Sequence, residues 1–177
     1  MPTHVALLRG VNLGNRRVSM VDLRKLLEGL GYTDVGTYVQ SGNAVLTSKE
    51  TDESRIAAAL EAELTKAFGF QVPVIVRSRA ALADVVAHNP FPDTAADPTK
   101  LHVTFLGQPL DPARLGHIAV ADFAPEEFAT RKREVYLSLP KGLGRSRLAA
   151  AVEKALRGSG TTRNWRTVTA LLDMLDG

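Results

Sequence analysis

The sequence contains no cysteine, which excludes disulfides, thiol chemistry and every cysteine-based zinc or iron–sulfur site. That absence fits a reducing compartment, and the cytoplasm is the expected location. Long hydrophobic runs are missing too: no apolar stretch approaches the roughly 20 residues of a membrane span. The first residues, MPTHVALLRGVNLGNRR, place a short apolar run before the arginines, the reverse of a signal peptide, so the chain is expected to be neither exported nor embedded. Histidine is scarce and scattered. His4, His102, His88 and His117 show no HxxxH or HExxH spacing, and no metal or cofactor is expected. No GxSxG nucleophile elbow occurs, and Asp52, Glu53, Glu61 and Glu63 read as solvated helix charges rather than a convergent carboxylate pair, so no general base is identifiable.

What is present suits a globular protein. The 177 residues are 45% hydrophobic and 23% charged, with a net charge of +3. A chain of this size buries about two thirds of its unfolded surface, which excludes disordered, collagen-like and mini-protein classes. The length fits one ordinary domain or two small ones.

The first half alternates regularly. Val5–Leu8 reads as a strand, and Met20, Leu23, Leu27 and Leu30 recur at helical spacing up to Gly31. Val35–Val39 and Ala44–Thr47 flank Gln-Ser-Gly-Asn as a hairpin. Ile56, Leu60, Leu64 and Phe68 line a helix from Asp52, and Val72–Val76 is a further strand. The order β-α-β-β-α-β is ferredoxin-like, so residues 1–78 are expected to form an alpha-beta plait with two helices on one sheet face.

Residues 79–177 are expected to form a second α+β plait-like unit with a helical C-terminus. A helix over 80–88 leads into the proline-rich loop Asn89–Thr99. Strands are expected at Leu101–Leu106, Ile118–Asp122, Phe128–Arg131 and Val135–Leu139, with a short helix over Asp111–Leu115. Ser146 is expected to cap a helix running to Arg157, and Thr162 a last helix carrying Trp165, Val168, Leu172 and Leu175 on one face. The two halves are too dissimilar in sequence to read as a repeat.

Three polar segments could carry chemistry. The ferredoxin-like order brings the loop Arg9–Val18 beside the hairpin tip, gathering Arg9, Asn12, Arg16 and Arg17 near Gln40, Ser41 and Asn43. Gly10 and Gly14 allow backbone N–H groups to turn toward a ligand at a helix start, which suits an anion, although the loop matches neither a P-loop nor GxGxxG. The plain alternative is a turn, solvated arginines and an ordinary hairpin. The second segment, Lys141 to Arg147, could hold a phosphate or carboxylate through backbone N–H groups, the Ser146 hydroxyl and the Arg145 fork, or could be only a hinge and an N-cap. The third, Thr161 to Arg166, places Arg163 and Asn164 beside the only tryptophan, a residue type more often buried than used as a platform. Residues 131–166 hold ten Lys/Arg against two acids, an asymmetry that favours an acidic partner or a solvated basic face. The two central strands of the first plait carry no aromatic residues, which argues against an RNA-recognition sheet.

Together LLRGVNLG, TYVQSGNAVL, YLSLPKGLGRSRL and TTRNWRTV resemble the bacterial family catalogued as domain of unknown function 1697, over nearly the whole chain. The resemblance implies two alpha-beta plait-like units and no established activity. The residues on the family motifs are Arg9, Gly10, Asn12, Gln40, Ser41, Gly42, Asn43, Gly144, Arg145, Ser146, Thr162, Arg163, Asn164 and Trp165. The leading expectation is a cytoplasmic protein whose loops bind an anionic small molecule or a nucleic-acid backbone. Arg9, Arg145 and Arg163 would supply charge, with Ser41, Ser146, Asn12, Gln40, Asn43 and Asn164 orienting the ligand. One alternative is a metal-independent phosphate or acyl-phosphate hydrolase, in which Arg9 or Arg16 binds phosphate and Asn43 positions water. The other is a homo-oligomeric interaction module using Trp165 and the motif loops.

Overall fold

The structure is a computed structural model that describes every residue from Met1 to Gly177 except Gln40. The chain divides into two compact units, Met1–Asp84 with Ala170–Gly177, and Val85–Thr169. The last eight residues thus group with the first unit, not with the second as the linear reading expects.

In the first unit the elements are β1 (Thr3–Leu8), α1 (Met20–Gly29), β2 (Thr33–Thr37), β3 (Asn43–Thr47), α2 (Glu53–Phe68), β4 (Val74–Ser78) and the start of α3 (Arg79–Ala87). The sheet runs β2-β3-β1-β4, all antiparallel, as the ferredoxin-like order requires. Alternation along the strands puts Ala6, Leu8, Ala44, Leu46, Val74 and Val76 into one core with Leu23 and Leu27 of α1 and Ile56, Leu60 and Leu64 of α2. Both helices start on local signals. The Ser19 hydroxyl accepts from the Asp22 N–H, the Asp52 carboxylate accepts from Ser54 and Arg55, and Gly69 at φ 79° ends α2. Strand β2 lies two residues earlier than expected: Asp34 takes φ 50° at an irregularity in its pairing with β3, and Val39, at φ 49°, lies beyond its end. At the hairpin tip, a Cβ on Gly42 (φ 89°) would stand 2.7 Å from Val11 Cγ2 and 2.8 Å from Leu8 Cβ. Only glycine lets the tip lie this close to the loop after β1.

The second unit contains β5 (Leu101–Leu106), β6 (Glu127–Arg131), β7 (Glu134–Ser138), α4 (Arg147–Leu156), β8 (Gly160–Asn164) and the start of α5 (Trp165–Asp176). Its order, β6-β7-β5-β8, repeats that of the first sheet. The registers repeat as well. Val5 lies opposite Val45 and Arg77, and Val103 lies opposite Tyr136 and Arg163. His4 and His102 hold one position, and so do Arg77 and Arg163. After each fourth strand a polar side chain caps the next helix: Ser78 Oγ accepts from Ala81 N at 3.1 Å, and Asn164 Oδ1 from Thr167 N at 2.9 Å. Two plaits of one topology therefore stand in tandem, although their sequences do not read as a repeat.

The second plait lacks a counterpart of α1. Between β5 and β6 lie only 3-10 turns at Pro112–Arg114 and Val120–Phe123, where a short helix and the strand Ile118–Asp122 were expected. Leu115 and Ile118 drop into the core beside Val135, Leu137, Leu148, Val152 and Leu156, which explains the strand-like apolar signal there. The second correction concerns Thr162, which lies inside β8 instead of capping a helix; Asn164 is the cap. The sequence GTTRN forms an edge strand through its pairing with β5.

Candidate functional site

In the first unit the two expected loops do adjoin: Leu8 N donates to Gly42 O at 2.8 Å. Their polar groups, however, hold the loops together. Asn12, at φ 58°, donates through Nδ2 to Val18 O and accepts at Oδ1 from Val18 N, each at 3.0 Å. Asn12 N also donates to Arg16 O at 2.6 Å, closing a tight turn over Gly14. Arg16 donates from Nε to Gly10 O at 3.0 Å and from Nη2 to Gln71 O, and its guanidinium lies 4.7 Å from the Phe70 ring centre. Arg17 is exposed. Asn43, fully buried at the start of β3, donates to Tyr38 O at 2.9 Å and to Ser41 Oγ at 3.0 Å. Arg9 is half-buried, with its backbone N–H on Pro73 O at 2.9 Å. Gln40 lies outside the described residues.

In the second unit the expected residues occupy three different places. Arg163 is buried in β8 beside Val103 and Tyr136, on the sheet face opposite to the Val135 and Leu137 side chains that meet α4. Its Nη1 donates to Thr161 Oγ1 at 2.6 Å and Thr162 O at 3.0 Å, and desolvation pulls the guanidinium pKa down to about 10, still cationic at neutral pH. Asn164 is the α5 cap described above. Ser146 caps α4, accepting from Ala149 N at 2.9 Å, and lines a hollow of about 300 Å³ with Leu137, Val152, Thr104 and Thr162.

Arg145 borders a charged cavity. This cavity, about 210 Å³, is lined by Asp122, Phe123, Ala124, Pro125 and Glu126 from the segment before β6, and by Lys141, Arg145 and Arg147 from the segment entering α4. Arg147 lies over Phe123, its guanidinium carbon 5.7 Å from the ring centre. Among the described residues no carboxylate pairs with Lys141, Arg145 or Arg147. Glu126 Oε2 is shut off from solvent without a hydrogen-bond partner. Sequence reasoning missed Asp122, Phe123 and Glu126 because the apolar residues around them read as a strand. The run Lys141-Gly-Leu-Gly-Arg145-Ser-Arg147 was visible, but nothing in the sequence says which segment faces it.

Fold and cavity together define an α+β protein of two antiparallel plaits, the second carrying a small charged hollow. The chain belongs to the family described as Protein of unknown function (DUF1697), whose model matches residues 1–136. The match stops short of Lys141, so it covers less of the chain than the motif resemblance implies and does not reach the cationic segment. No curated protein matches the sequence. A solved structure described as that of conserved bacterial protein SP0830 from Streptococcus pneumoniae is similar over 100% of this chain and 99% of that one, with 21% identity and a TM-score of 0.83. That similarity shows the fold. Among the described residues no helix is long and apolar enough to cross a membrane.

Proposed function

We propose that this protein binds a small anionic molecule in the cavity lined by Lys141, Arg145 and Arg147. The observation that carries this reading is the convergence of three cations, without a carboxylate partner among the described residues, on one hollow of about 210 Å³ at the N-terminus of α4. Arginine presents a planar fork suited to phosphate or carboxylate, and the start of a helix favours negative charge. The volume suits a metabolite-sized ligand better than an extended nucleic-acid backbone. The hydrolase alternative asks Asn43 to hold a water, whereas its amide is buried and engaged with Tyr38 and Ser41. The interaction-module alternative asks Trp165 to be an exposed anchor, whereas it is buried.

Titration of the protein with ethyl phosphate, followed by NMR shifts of the 141–149 backbone amides, tests the reading. Saturable shifts are expected, with Arg145→Ala and Arg147→Ala each weakening affinity about tenfold or more, the size of one charge-assisted hydrogen bond. Wild-type affinity in the double variant, or no saturable shift in the wild type, overturns the site.

A further inference from the structure

The same cavity carries charges of both signs. Asp122 and Glu126 lie on the segment before β6, and Lys141, Arg145 and Arg147 on the segment entering α4. Among the described residues these opposite charges form no ion pair with one another, although they border one small hollow. Arg147 turns to the Phe123 ring instead. Glu126 keeps one carboxylate oxygen, Oε2, away from water and without a donor. The charge of a purely anionic occupant would be repelled by the two carboxylates that border the hollow.

Resting on the anion-binding reading, we infer that the occupant is a small zwitterion: an anionic group held by Lys141, Arg145 and Arg147, and an ammonium a few bonds away facing Glu126 and Asp122. The cationic end relieves that repulsion. A hollow of about 210 Å³ suits a small ligand of metabolite size. An aminoalkyl phosphate or a short amino acid has that size and charge layout. Both present the same pair of opposite charges.

Two probes that differ in the ammonium group separate the possibilities. Phosphoethanolamine and ethyl phosphate share the phosphate, and only the former carries the amine. Calorimetric or NMR titration is expected to give at least tenfold tighter binding of phosphoethanolamine to the wild type. Glu126→Gln removes the negative charge while keeping the side-chain shape, and it should shrink that preference to threefold or less without weakening ethyl phosphate. Asp122→Asn, at an exposed position, should shrink it as well and serves if the Glu126 variant does not fold. β-Alanine in place of phosphoethanolamine tells a carboxylate site from a phosphate site. Equal affinity for phosphoethanolamine and ethyl phosphate in the wild type overturns the zwitterion and leaves the anion site standing. Binding of neither overturns both.

Discussion

Asn12 sits at φ 58° because its side-chain amide does the work of a strand partner, donating to and accepting from the Val18 backbone. Asparagine tolerates the left-handed region better than most residues and carries a donor and an acceptor on one short side chain. The two histidines at equivalent places in the two plaits are also defined by what surrounds them. His4 and His102 are buried with Nδ1 unpartnered. Burial holds both imidazoles below their ordinary pKa of about 6.5; Glu53 partly opposes the effect at His4, and Lys100 reinforces it at His102. The native state therefore binds fewer protons than the unfolded chain once the pH falls below about 6.5. The melting temperature should hold steady above neutrality and fall as the pH drops through 6.5 and below. Thermal scans from pH 7.5 to 5 check this, and His102→Gln should flatten part of the decline. An unchanged slope in that variant would place the pH dependence elsewhere.

At the scale of elements, β8 shows how pairing overrides propensity. Glycine and asparagine are depleted in strands, yet Gly160–Asn164 completes the second sheet at its edge. Gly160 has a steric task there. A Cβ at this position would stand 2.6 Å from Thr104 Cγ2 and 3.1 Å from both Leu106 Cδ2 and Phe105 O, so an added methyl must push β8 off β5. Gly160→Ala should therefore cost about 1–3 kcal/mol, the size of an overpacked core substitution. Denaturant unfolding measures it; a change within 0.5 kcal/mol, the scatter of ordinary surface substitutions, would show that the strand yields freely. Helices behave differently. Ser19, Asp52 and Ser146 start α1, α2 and α4 through bonds within three residues, and such local caps are readable from sequence.

For the molecule as a whole, the plait is used twice and the chain does not end in the unit that precedes its end. Residues 170–177 group with residues 1–84, and they carry Leu171 and Leu175, both buried, and the ion pair of Asp176 with Arg79. Removing residues 170–177 should therefore destabilise the protein although the β-α-β-β-α-β order of residues 1–78 is left intact. Two buried leucines correspond to about 3–6 kcal/mol of lost burial. A chain ending at Thr169 should melt several degrees or more below the full-length protein in a thermal scan, and an unchanged melting temperature would show that the terminal segment is dispensable. The sequence by itself determined the α+β class, the first plait, the core faces of α1 and α2, the start of α2 at Asp52 and the Ser146 cap of α4. These depend on periods of 2 and 3.6 and on hydrogen bonds a few residues long, which are printed in the order of residues. Only the tertiary structure decided that the second plait repeats the strand register of the first, that 160–164 is a strand, and that Asn12 and Asn43 close loops while Arg145 borders a cavity with Glu126. Those outcomes depend on which distant segment each residue meets. Chain reversal, edge pairing and the meeting of 122–126 with 141–147 set them, and no local pattern encodes such a meeting.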